Sequence, residues 1–228
     1  MNKEIRLNWF DSLNFKRFRD IRSVTLVELL ISMMVVAIIV LSFYSLESYG
    51  HQQVLSANRR AKVQNSLTYC LEYMSKYVQQ ANGNVSRKAI QYYPGPGAAG
   101  ATGFRVYVDL RFPQTPSELS DDSWIDFTLS ANTLTATCTA NGGTCPFATE
   151  NLTNKIVAGV VGDTIMPSSP GNGFYIKIGT LTDTLGTFVD IGMVGRYYPT
   201  VATSLATRLT NPQVEMKTQI ICNNSSTN

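Results

Sequence analysis

The spacing of apolar residues changes character twice along the chain, and each change marks an element. Residues 29–46 carry no charged side chain and are apolar on every face. At 1.5 Å per residue that run spans roughly 27 Å, about the hydrocarbon thickness of a bilayer. The apolar positions then thin to three- and four-residue spacing. Leu67, Cys70, Leu71, Met74, Tyr77 and Val78 form one stripe, with Arg59, Arg60, Lys62, Gln64 and Lys76 elsewhere on the helix. Residues 24–81 contain no proline and one strong breaker, Gly50, which predicts a single helix of roughly 87 Å. It should stop at Ala81-Asn82-Gly83-Asn84, where Gly and Asn favour a left-handed terminator.

Beyond Gly103 the period becomes two. Phe104, Val106, Val108, Leu110 and Phe112 alternate with Arg105, Tyr107, Asp109 and Arg111, the pattern of a half-buried strand. Further strands are expected over 124–129, 133–137, 155–161, 174–178, 187–194 and 213–221, separated by turn signals such as Gly171-Asn172-Gly173. No amphipathic helical run lies between them, so the sheet should be mainly antiparallel. The expected fold class is α+β, with the distal stripe of the long N-terminal helix packed on that sheet. Residues 83–228 then form one β-rich head, with no internal repeat and no second domain.

Charge is distributed unevenly. Residues 1–23 hold Lys3, Arg6, Lys16, Arg17, Arg19 and Arg22 against Glu4, Asp11 and Asp20, which accounts for the whole formal charge of +3 and leaves the remainder neutral. A nucleic-acid-binding surface announces itself as a basic excess, so direct binding of nucleic acid is not expected. The basic flank instead follows the positive-inside rule, since no Lys or Arg follows Arg22 until Arg59. The N-terminus should stay in the cytoplasm and the head should be exported.

One carboxylate, Glu28, sits at the mouth of the apolar run, where it costs on the order of 1 to 3 kcal/mol on insertion scales. Basic residues, a small residue, then Val24-Thr25-Leu26-Val27-Glu28 and an unbroken apolar helix resemble the processing site of type IV pilins and type II secretion pseudopilins. In that family a prepilin peptidase cuts before the apolar run and methylates the new N-terminus, and glutamate is the fifth mature residue. A cut between Ser23 and Val24 makes Glu28 that fifth residue. The chain departs from the family in having Ser23 where Gly is usual and Val24 where Phe or Met is usual.

The resemblance implies a cleaved leader over 1–23, a helix over 24–82 whose segment 24–46 serves membrane and filament core, and a periplasmic head over 83–228. It further implies a pilin-like fold and a minor structural subunit, most similar to W-type minor pilins or J-type minor pseudopilins, rather than an enzyme. The partners implied are other pilins or pseudopilins through the N-terminal helix, the peptidase and an inner-membrane assembly platform. Glu28 would pair with the amine of Val24 and set register during assembly. The alternative is a periplasmic binding protein or enzyme tethered by an uncleaved single-pass anchor.

Four cysteines in an exported head permit disulfides. Cys138 and Cys145 flank a six-residue turn-rich loop and are expected to pair; Cys70 and Cys222 form a candidate long-range pair. Buried free thiols are the alternative for both. No metal or cofactor is expected. His51 is the sole histidine, which excludes a histidine-based triad or multi-histidine metal site, and a solvated imidazole is the plain reading. Asp121, Asp122 and Asp126 lack EF-hand spacing and are expected to cap a turn and face solvent. Gly95-Pro96-Gly97-Ala98-Ala99-Gly100 matches G-x-G-x-x-G formally, but no strand-to-helix context surrounds it and it reads as a loop. Tyr92-Tyr93 and Tyr197-Tyr198 are read as packing residues rather than contact surfaces.

Overall fold

The computed structural model describes residues 25–83, 87–94, 102–110, 118, 120–141, 144–157, 173–180, 187–201 and 207–222. It is an α+β protein, and the described residues form one helix, α1 (Leu26–Gln79), followed in chain order by eight strands. These are β1 (Ile90–Tyr93), β2 (Gly103–Val108), β3 (Ser123–Ser130), β4 (Thr133–Thr139), β5 (Thr149–Thr153), β6 (Phe174–Thr180), β7 (Thr187–Arg196) and β8 (Gln213–Ile221). The chain divides into two compact units, Met1–His51 and Gln52–Asn228.

In the first unit every described side chain is exposed, including the run of Leu, Ile, Val and Met from Leu26 onward. A face-independent apolar surface of this kind is a liability in water and is the composition hydrocarbon requires. The segment is long and apolar enough to cross a membrane.

The second unit is built as the two-residue period dictates. Strands β1 to β5 form one sheet in sequential order and β6 to β8 a second, and all pairings are antiparallel. The single sheet expected from the pattern is therefore two. In the larger sheet Val106 stands opposite Ile125 and Phe104 opposite Phe127, the two rings stacked with centroids 5.0 Å apart. On α1, Val63, Leu67, Cys70, Met74, Tyr77 and Val78 are buried, matching the predicted stripe except that Leu71 is only partly covered. Each such large apolar side chain contributes about 1.5–3 kcal/mol by leaving water.

Helix and smaller sheet meet at Gly195 of β7. A Cβ there would lie 3.0 Å from Val63 and 3.1 Å from Leu67, so the absence of a side chain admits the helix. The helix gives way to extended backbone close to the predicted stop. Ala81 bridges Val108, and the Asn82 N–H donates to the Tyr107 carbonyl at 2.8 Å, so the first groups past the helix join the edge of β2.

The strand expected over 155–161 is not formed as such. Ile156 makes one bridge to Gly195, while the Val157 N–H donates to the Val194 carbonyl and the Val157 carbonyl accepts from the Gly173 N–H; residues 158–161 lie outside the described region. The strand of this region is β5, six residues upstream in its start, whose Thr-Glu-Asn-Leu-Thr sequence has little apolar alternation. It forms because the short connection from β4 returns it to the β4 edge, where ladder hydrogen bonds decide the pairing.

Candidate functional site

The N-terminal junction begins at Thr25, which precedes α1. The Thr25 N–H donates to Glu28 Oε2 at 2.9 Å, the Thr25 hydroxyl donates to the same oxygen at 3.1 Å, and the Glu28 N–H donates to Thr25 Oγ1 at 3.3 Å. This reciprocal arrangement is a capping box: Thr25 is the N-cap, Glu28 is the third helical residue, and each satisfies the other's otherwise orphaned donor. The carboxylate also lies at the positive end of the helix macrodipole. Glu28 therefore has a local structural role that its cost in an apolar run does not suggest. Ser23 and Val24 lie outside the described residues.

Downstream, two hydroxyls follow the same economy. Ser32 donates to the Glu28 carbonyl and Ser42 to the Ile38 carbonyl, each at 2.8 Å and each four residues back. Such back-bonding leaves neither hydroxyl seeking a partner outside the helix. His51 is exposed on the same helix.

The cysteines separate into two kinds. Cys138, at the end of β4, is disulfide-bonded to Cys145, with Cα atoms 5.9 Å apart. The Cys138 N–H also donates to the Ala148 carbonyl at 3.0 Å, so bridge and ladder close the same turn. The candidate pair Cys70–Cys222 is not formed: neither cysteine is disulfide-bonded, and both are buried. Cys222 Sγ donates to the Ala81 carbonyl at 3.2 Å, past the end of α1, and the helical rise from Cys70 to Gln79 alone is roughly 13 Å. A disulfide needs Cα atoms within about 7 Å. Burial pushes the Cys70 thiol up to about 12.

The acidic cluster does not face solvent. Asp121, Asp122 and Asp126 are 8%, 1% and 7% exposed. Asp126 stands opposite Arg105 across the β2–β3 ladder and accepts a two-pronged pair, Nε to Oδ1 at 2.6 Å and Nη2 to Oδ2 at 2.8 Å. Asp122 is ion-paired with Arg87, whose guanidinium also lies 4.6 Å from the Tyr107 ring centroid. Burial raises the Asp122 carboxyl above the ordinary carboxylate range despite Arg87, with Asp109 adding to the rise and a hydrogen bond from Asn82 opposing it. These arginines come from strands and loops distant in sequence, so no local pattern around Trp124 announces the pairing. Among the described residues no group of three or more His, Cys, Asp or Glu could hold a metal ion.

Sequence reasoning also passed over Glu150 of β5. It accepts a hydrogen bond from Tyr69 at 2.8 Å and another from Tyr73 at 2.7 Å, one on each carboxylate oxygen. Tyr73 and Tyr77 in turn pack edge-on against Phe147, beside the disulfide turn. The Tyr69-x-x-x-Tyr73 spacing, one helical turn, was the available signal.

Each tyrosine pair makes contacts within the head, and Tyr198 stays half exposed. Tyr92 accepts from the Ile178 N–H at 3.0 Å, which ties the two sheets together, and Tyr93 lies under the Arg105 guanidinium. Tyr197 and Tyr198 pack edge to face beneath Arg59. The Gly95 to Gly100 segment lies outside the described residues. No family profile matches the chain, and neither a curated protein nor a solved structure is significantly similar to it.

Proposed function

We propose that the chain is a minor pilin or pseudopilin, a non-enzymatic structural subunit made as a precursor, cut before Val24, and drawn from the inner membrane into a pilus or pseudopilus. The observation that carries this reading is the junction itself. A basic leader ends at Ser23, a carboxylate follows five residues into the next segment, and the uncharged helical run after it is exposed on all faces. The α+β arrangement, in which the same helix continues into a stripe covered by antiparallel strands, supports it.

The capping box sharpens the mechanism. Cleavage before Val24 leaves the Thr25 N–H an amide, so the box survives, and the new positive amine stands one residue ahead of it. Both Thr25 bonds land on Oε2, which fixes the carboxylate at the helix mouth. An amine from a neighbouring subunit meeting Glu28 there forms a charge pair in an apolar bundle, where two unlike charges are tolerated far better together than apart. The apolar surface supplies adhesion and the pair supplies axial register.

The box also favours a second reading, a tethered periplasmic protein with an uncleaved anchor, in which Glu28 only caps the helix. Co-purification with partner subunits separates them. Register pairing predicts that Glu28→Ala is exported and cleaved but enters complexes poorly, whereas Thr25→Val, which breaks the box and keeps the carboxylate, assembles nearly normally. Capping alone predicts equal and mild effects, since losing such a cap costs about 1 kcal/mol.

A further inference from the structure

One surface of the second unit has a charge and composition that neither the fold nor the proposed assembly uses. Arg59 of α1 donates to the Thr210 carbonyl at 2.6 Å, and its guanidinium lies 5.3 Å from the Tyr197 ring centroid and 5.8 Å from that of Tyr198. Lys155 Nζ approaches the Tyr197 ring from elsewhere at 5.0 Å and donates to the Tyr197 carbonyl. Around this rim Tyr198, Val201 and Leu209 remain 47%, 44% and 42% exposed.

That exposure is held in place. The buried Asn211 accepts from the Tyr198 N–H at 2.8 Å and donates to the carbonyls of Tyr198 and Val201 at 3.0 and 3.1 Å. Arg196 donates to the Val201 carbonyl from the other side. The apolar tips are thus presented on a fixed frame.

The charge around them has one sign. Residues 48–71 and 191–214 contain no Asp or Glu, while they hold the exposed Arg60, Lys62 and Arg208 and the half-buried Arg59, Arg196 being buried. The first carboxylate beyond, Glu215, accepts from the Gln213 side-chain amide at 2.9 Å. In a mature chain that is formally neutral, this is a local cationic field. Aromatic rings with polar tips, aliphatic side chains and long cationic ones together are the composition of a membrane–water interface. Arg59 lies thirteen residues after Leu46, the last residue of the uncharged run, roughly 20 Å at helical rise.

We infer that this rim is a docking surface for anionic phospholipid headgroups, holding the head against the bilayer that carries residues 29–46 before assembly. The inference rests on the membrane-anchored reading. Lys and Arg attract an anionic surface within a Debye length, Tyr197 and Tyr198 suit the headgroup layer, and Val201 and Leu209 enter it.

The test uses the full chain with Leu209→Cys carrying an environment-sensitive fluorophore, in nanodiscs of phosphatidylcholine alone or mixed with phosphatidylglycerol. Emission should shift to the blue in the mixed discs only. The shift should be reversed by high salt and lost when Arg60→Glu and Lys62→Glu are added. The same label at Lys177→Cys, on the exposed face of β6, should not respond. Equal emission in both lipids would overturn the inference. So would a shift that follows protein concentration regardless of lipid, which would assign the rim to a second copy. A chain that fails to co-elute with the discs would remove the anchored reading and the headgroup surface with it.

Discussion

Replacing Arg87 with Met should destabilise the head far more at neutral pH than in acid. Arg87 is the ionic partner of Asp122, whose side chain is fully buried while that of Arg87 is 24% exposed. Removing one member of a buried pair typically costs about 3–5 kcal/mol, because the remaining charge is left without compensation. Water reaches Arg87, so the bottom of that range applies, about 3 kcal/mol. The pH dependence follows from the Asp122 carboxyl, which burial raises above its ordinary value of 3.8. A raised acid favours the protonated folded form. Its contribution is fully present below the unfolded value and is lost as pH rises through the folded one. Without Arg87 the folded value climbs further, so the deficit of Arg87→Met is complete near pH ~7 and shrinks toward pH ~4 as Asp122 takes up a proton. Denaturant unfolding of the detergent-solubilised chain, followed through Trp124 fluorescence, measures it. Adding Asp122→Asn to Arg87→Met should recover much of the loss at neutral pH. The same deficit at both pH values, or no recovery in the double variant, would refute the reasoning.

Three further outcomes follow from the packing. Replacing Cys138 and Cys145 with Ser should lower stability by about 2.5 kcal/mol, the loop-closure value for a separation of 7, and reductant should bring the wild type to the same thermal midpoint. Gly103→Ala should cost at least about 2 kcal/mol and reduce the folded yield, because its methyl group would be driven into the Phe127 carbonyl, backbone that has no rotamer to yield. Cys70 and Cys222 should resist alkylation in the native protein and react only after unfolding, since both are buried and the Cys70 thiol stands near 12; rapid native labelling of Cys70 would contradict its place in the core.

The elements most legible in the sequence were those in which one face decides the structure. The stripe from Leu67 to Val78 and the alternation of Phe104, Val106 and Val108 reappear as buried faces, and β8 occupies the residues its pattern predicts. Strand β1 was missed because four residues cannot establish a period, and β5 because its pairing comes from the return of the chain along β4. The split into two sheets is a matter of which edges meet, which periodicity does not encode. At the chemical level, the short loop between Cys138 and Cys145 limited its own closure, whereas Cys70 and Cys222 required knowing which turn of the helix the last strand reaches. The aspartates were misplaced because a local run of acids reads as solvated until the arginines of other segments are brought to it. The capping box was legible as Thr-x-x-Glu ahead of an apolar run; the unusual position of Glu28 drew the reading toward partners instead.

The central claim is that Val24 is the first residue of the mature subunit, and intact-mass analysis of the chain with and without a co-expressed prepilin peptidase tests it most directly. Cleavage predicts a loss equal to the mass of residues 1–23, less one added methyl group, with Edman or tandem mass sequencing starting at a methylated Val24. An unchanged mass in the presence of a peptidase that processes a control prepilin would contradict the account and leave the tethered protein in its place.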